Sequence, residues 1–167
     1  MRQTIPLLAV TALILAAAQV RGQEVAVPQD QVPKAVMNAL LAKFPKAAID
    51  TCVKATEGGE VIYDIEFKQE GRKFEADIKA NGTYLNYEQA IEITALPEAV
   101  IAAIEKRYPR SVLKEIMQET EITGKTEQLS AYEVIIDTVG KGQVEVRVSP
   151  EGKVLEDSGA TKTREKK

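Results

Sequence analysis

Histidine is missing from all 167 residues, and cysteine occurs once, as Cys52. The first absence removes the commonest general base, the commonest zinc ligand and the usual pH switch together. A single cysteine permits no intramolecular disulfide, so stability has to come from an ordinary apolar core. Ser111, Ser130, Ser149 and Ser158 have no histidine to activate them, and no Gly-x-Ser-x-Gly elbow surrounds any of them. Cys52 has no CxxC neighbour and reads as a small buried hydrophobe, while Gly58-Gly59 reads as a turn with no following helix to cradle a phosphate. These gaps exclude the familiar catalytic constellations and imply no cofactor: the chain is not expected to be an enzyme.

An excess of basic charge is also lacking. The formal net charge is −3. Residues 1–22 carry Arg2, an apolar run from Ile5 to Val20, and small residues at Ala16, Ala17, Ala18 and Gly22, which is the pattern of a secretory signal peptide. An uncleaved N-terminal anchor is the alternative, although the run falls short of the roughly 20 residues that span a bilayer. Cleavage after Ala18 or after Gly22 satisfies the small-residue rule. Loss of residues 1–22 leaves 20 basic residues against 25 acidic ones. Such a product has no electrostatic reason to seek nucleic acid or an anionic membrane, and a periplasmic or secreted location is expected.

What the chain does contain is one pattern written twice. VPKAVMNALLAKFP, residues 32–45, returns as LPEAVIAAIEKRYP, residues 96–109. Val36, Leu40 and Phe44 form an apolar stripe with Ala39, and Val100, Ile104 and Tyr108 repeat it with Ala103. Pro33 and Pro97 suit a first helical position, and Pro45 and Pro109 stop each helix. The period then falls to two. Val61, Tyr63, Ile65 and Phe67 alternate with Ile62, Asp64, Glu66 and Lys68, and Phe74, Ala76 and Ile78 follow in the same manner; Tyr132, Val134 and Ile136, then Val144, Val146 and Val148, are the second set. Asn81-Gly82 and Glu151-Gly152 mark turns into short last strands at 84–87 and 154–156. A first strand of poorer alternation is expected near 49–56 and 113–122.

The fold class expected from this is α+β: a tandem duplication of a helix followed by a four-stranded antiparallel sheet, each sheet turning its apolar face to its own helix. The boundaries are a signal peptide at 1–22, an N-terminal linker at 23–31, a first repeat at 32–88, a connector at 89–95, a second repeat at 96–158 and a polar tail at 159–167. Units of roughly 60 residues bury little surface alone, so the copies are expected to pack together or to continue one sheet into the next.

The paired helices, followed by YDIEF…FEADI…NG…YL and YEVII…VEVRV…EG…VL, resemble the PepSY-like group of exported bacterial proteins, which is similar in fold to the beta-lactamase-inhibitor protein. The resemblance covers residues 32–158. It implies a non-catalytic envelope domain that contacts or restrains another envelope or secreted protein, a peptidase among the possibilities, and carries over no inhibitory loop; the contact surface expected is the open sheet face or the groove between the two repeats.

The candidate binding residues lie on the sheet face turned away from the helices: Asp64, Glu66, Glu75, Asp77, Glu133, Ile135, Asp137, Glu145 and Arg147. Carboxylates on an open face suit a basic partner, or a small ligand or a hard cation such as calcium as the alternative. Lys68, Lys73, Lys79, Lys141 and Arg147 fall on the same face, and alternating charge is also how an ordinary solvated sheet pairs its strands. No calcium-loop spacing is present, and no metal site is assigned.

Overall fold

The structure is a computed structural model, and it describes residues 24–140 and 142–160. The signal peptide expected at 1–22 lies outside the described residues. Nine strands form one antiparallel sheet in sequential order: β1 (Val25–Ala26), β2 (Ala48–Glu57), β3 (Glu60–Gln69), β4 (Arg72–Lys79), β5 (Tyr84–Ala90), β6 (Val112–Thr123), β7 (Thr126–Thr138), β8 (Gly142–Val148) and β9 (Val154–Asp157). Two helices of ten residues each, α1 (Lys34–Lys43) and α2 (Glu98–Arg107), lie on one side of it.

The expected class is thereby corrected. A repeat of a helix plus a four-stranded sheet does not describe the molecule, which is mainly β: one nine-stranded antiparallel sheet with two short helices, the sheet running on from one half into the next as one of the two expected arrangements had it. The ladder that overturns the expectation joins β5 to β6, from Asn86 opposite Glu121 to Ala90 opposite Met117. Its physical origin is that β5 continues three residues past Tyr87, where the sequence pattern ended. Those residues give β6 an edge to pair with, and neither half is left with an exposed strand edge at its centre.

Local chemistry explains the elements. Pro33 and Pro97 sit one position earlier than expected, as N-caps with extended ψ of 140° and 143°, and their carbonyls accept the Met37 and Ile101 amides at 3.1 Å. Each helix buries the stripe that its spacing requires. Val36, Leu40 and Phe44 pack on Tyr63, Ile65, Phe67, Phe74 and Ile78. Val100, Ile104 and Tyr108 pack on Tyr132, Val134, Ile136, Val146 and Val148. The first cluster is aromatic, with Phe44 tilted against Phe67 and Phe74 at centroid distances of 4.9 and 5.2 Å. Cys52 is buried there, and burial, followed by the Asp64 charge, pushes its thiol up. Ile116 takes the corresponding place in the second cluster.

Gly82 and Gly152 hold each helix against the sheet. Both have positive φ, 88° and 84°, and a Cβ there would stand 2.8 Å from the Ala35 carbonyl oxygen or 2.5 Å from that of Ala99. The turns touch the helices' first turns so closely that only glycine fits. The two cores thus fix where the opposite face of the sheet points.

Candidate functional site

Side chains on the face away from the helices converge in a cleft of about 410 Å³. Its lining includes Glu24, Glu57, Asp64, Glu66, Glu75, Asp77, Glu88, Glu133 and Glu145, nine carboxylates, against one base, Lys73. The lining is partly apolar: Val53, Ala55, Ile62 and Ile135 contribute to it, and Ala55 and Ile62 are buried outside both helix-side clusters. A somewhat larger cleft of about 480 Å³ beside β1 is lined mainly by Val27, Pro28, Ile49 and Cys52, with Asp50 as its single charged side chain. Charge sets the acidic trough apart from it.

Register explains the concentration. Glu66 of β3 stands opposite Glu75 of β4, Glu75 opposite Glu88 of β5, and Glu88 opposite Glu119 of β6, so four glutamates lie in line across four neighbouring strands. A second row runs beside it through Asp64, Asp77, Asn86 and Glu121. Side chains directly opposite in an antiparallel pair have Cβ atoms roughly 4.5–5.5 Å apart, and like charges there repel. The sheet compensates unevenly. Glu119, only 5% exposed, receives a bidentate Arg147, Nε to Oε2 at 2.5 Å and Nη2 to Oε1 at 2.7 Å. Lys73 reaches both Glu75 and Glu115 at 2.8 Å; burial acts to lower its pKa, and those two acceptors outweigh it and hold the ammonium charged. Asn86 donates to Asp77 at 3.1 Å.

Glu88 has no such relief. Its Oε2 is buried and meets no hydrogen-bond partner among the described residues. Burial in the first place, then the charges of Glu133, Glu75, Glu119 and Asp77, push its carboxyl up to about 9. Glu133 is pushed up to about 8 by burial and by Glu145, Glu75 and Glu119, with Arg147 opposing. At neutral pH this pair holds protons where ordinary glutamates are ionised.

Of the nine residues expected from the sequence, the fold brings Asp64, Glu66, Glu75, Asp77, Glu133, Ile135 and Glu145 together in the trough. It places Asp137 apart, 3.5 Å from Lys114, and commits Arg147 to Glu119 and Glu156. The interspersed lysines do not neutralise the centre. Lys68 pairs with Asp50 and Lys79 with Glu60 at the strand ends, and Lys141 lies outside the described residues. Sequence reasoning missed Glu88 and Glu119, the two members of the glutamate line on β5 and β6. Glu88 fell beyond the expected end of its strand, and Glu119 lies in a strand whose alternation is broken by bulges at Leu113/Glu115 and Glu119/Thr120. The alternation of Asn86 and Glu88 with Tyr87 was the available signal.

Chemically, the trough presents a high density of negative charge and a partly apolar lining, with no nucleophile paired to a base. No group of three or more Asp, Glu or Cys side chains among the described residues is arranged to hold a metal ion. No helix among them is long and apolar enough to cross a membrane.

Comparison with known proteins supplies the context. The model of the beta-lactamase-inhibitor-like, PepSY-like family matches residues 18–82 and again 61–156. A BLIP-like protein of Bacteroides fragilis is 25% identical, with a TM-score of 0.54 over 82% of this chain and 92% of its own. A protein of Bacteroides eggerthii described as "putative periplasmic" is similar in fold at 16% identity, with a TM-score of 0.59 over 79% of this chain and 94% of its own. A Bacteroides uniformis protein shows the same fold at 14% identity, with a TM-score of 0.56 over 75% and 87%. Among curated proteins none matches.

Proposed function

The chain belongs to the beta-lactamase-inhibitor-like, PepSY-like family, and from that premise we propose that it is an exported, non-catalytic binding module. Its acidic trough receives a lysine- or arginine-bearing segment of another periplasmic or secreted protein. The observation that carries this reading is the unpartnered Oε2 of Glu88 at the centre of a cleft with nine carboxylates and one lysine. Protonation relieves the charge of Glu88 yet leaves that oxygen without a hydrogen-bond partner, at a cost of about 1–3 kcal/mol. A cationic side chain entering the cleft would supply both the partner and the compensating charge. The apolar lining of Val53, Ile62 and Ile135 suits the methylene stem of a lysine or arginine, which packs on apolar surface while its head seeks carboxylates. The periplasmic description of fold relatives supports the location.

Calorimetry with hexalysine at low salt and pH 7.5 tests the proposal. Saturable binding is expected, weakened at least tenfold in a Glu88→Gln/Glu133→Gln variant. Equal affinity in both chains rejects the trough as the site. Saturable heat from calcium chloride alone would favour cation sensing instead.

A further inference from the structure

The two apolar clusters meet without merging. The first runs from Val27 to Tyr87 and the second from Ile91 to Val154, and among the described residues none belongs to both. The halves are joined by the β5–β6 ladder, extended by one bond from the Ile91 amide to the Ile116 carbonyl at 3.0 Å. A junction with no shared core can change its twist unless other contacts fix it. Two charged contacts cross it. On the trough side, near Ala90, Lys73 reaches Glu115 at 2.8 Å. On the helix side, near Asn86, Glu127 of β7 accepts from Lys43, the last residue of α1, at 2.5 Å and from the Tyr87 hydroxyl at 3.1 Å. The Lys43 ammonium also lies 4.6 Å from the Tyr87 ring centroid. We propose that Glu127 is a clasp: it holds the β6–β7 hairpin to α1 and so fixes the angle between the two halves, with the β5–β6 ladder as the hinge.

The internal repeat supports it. Tyr87 stands opposite Ala76 on β4, and Asp157 stands opposite Val146 on β8, the same place in each half. In the second half Asp157 serves the end of its own helix, bonding Arg107 and, at 2.6 Å, the Tyr108 hydroxyl. In the first half a tyrosine fills that place, and Lys43, the counterpart of Arg107, takes its carboxylate from the other half. The β6–β7 hairpin is long enough to deliver it. Past its last rung with β5, Asn86 opposite Glu121, it continues to Thr123 opposite Thr126, whereas the equivalent β2–β3 hairpin turns back at Glu57 opposite Glu60. The Glu127 side chain is 46% exposed and that of Lys43 24%, so the clasp is weak, sensitive to salt and able to open. The trough straddles the hinge, with Glu75 and Glu88 on one side and Glu133 and Glu145 on the other, so its width follows the hinge angle. The clasp does not rest on what the trough binds.

Residual dipolar couplings of the backbone amides of the full chain, at low salt, test the proposal. In the wild type the amides of α1 and β2–β4 and those of α2 and β6–β8 should fit one alignment tensor. In Glu127→Ala the two groups should require different tensors, while each keeps its internal fit. Lys43→Met retains the stem on the Tyr87 ring and removes the charge; it should act in the same way, and it carries the test if Glu127→Ala does not fold. The swapped pair Lys43→Glu/Glu127→Lys should restore a single tensor. Lys46→Met, which removes a pair with Glu70 inside the first half, should leave the wild-type fit unchanged. A single tensor in both Glu127→Ala and Lys43→Met overturns the proposal. So do two tensors in the wild type, two tensors in the swapped pair, or an effect of Lys46→Met equal to that of Lys43→Met.

Discussion

Replacing Glu88 by glutamine should make the protein more stable in mild alkali and flatten its response to pH. In the folded chain the Glu88 carboxyl holds its proton to about 9, against 4.5 for an ordinary glutamate. The folded state therefore binds a proton that the unfolded state has lost throughout that interval, and stability falls as pH rises from about 4.5 to about 9. Each pH unit within the interval is worth about 1.4 kcal/mol per proton. Between pH 5 and pH 8 the wild-type chain should lose on the order of 3 kcal/mol through this group, less whatever the sheet recovers by admitting water. Glutamine has the shape of the protonated carboxyl and no proton to lose. Glu133 is pushed the same way, to about 8, so the single variant should retain a shallower slope and Glu88→Gln/Glu133→Gln should be nearly flat. Urea unfolding at pH 5, 7 and 9 reads this directly. Parallel slopes for the wild type and Glu88→Gln would mean that the glutamate line is ionised in the folded state, and the account of the trough would fail with it.

Arg147→Ala should cost about 3–5 kcal/mol, because it leaves Glu119 buried and unpaired; thermal unfolding checks this, and a companion Glu119→Gln change should recover part of the loss. Gly152→Ala should destabilise by about 2–4 kcal/mol through its left-handed φ and the approach to Ala99, whereas Gly58→Ala, with open space around its Cβ position, should cost only about 1 kcal/mol. Hexalysine affinity should rise with pH between 7 and 9, since an entering ammonium displaces the proton of Glu88; calorimetry in buffers of different ionisation enthalpy should register proton release, and a flat pH profile would contradict the exchange. Cys52 should react with a thiol reagent only as the protein unfolds, because it lies in the first core with its pKa raised; rapid labelling of the native chain would place it elsewhere.

The comparison between sequence and structure turns on particular elements. Alternation in 61–67 and 132–136 placed Tyr63 and Tyr132 toward the helices and Asp64 and Glu133 away, and the described residues adopt that arrangement. The two ten-residue helices occupy the expected stretches, with their prolines one position off. Bulges hid the remainder. The breaks in β6 interrupt its period, and an irregularity between Tyr84 and Asn86 breaks the alternation of β5, which starts where expected but runs on to Ala90. The repeat of a helix plus a four-stranded sheet gave way to a single nine-stranded sheet because the far end of β5 pairs with β6.

By itself the sequence determined which segments are helix or strand and which side of each strand is greasy, because those signals arise between residues two to four apart and need no knowledge of the rest of the chain. Only the tertiary structure decided that β5 would pair with β6, setting Glu88 between Glu75 and Glu119 and turning scattered acids into a trough. Cross-strand register joins residues dozens of positions apart, and it is fixed by the packing of both cores and not by any local pattern.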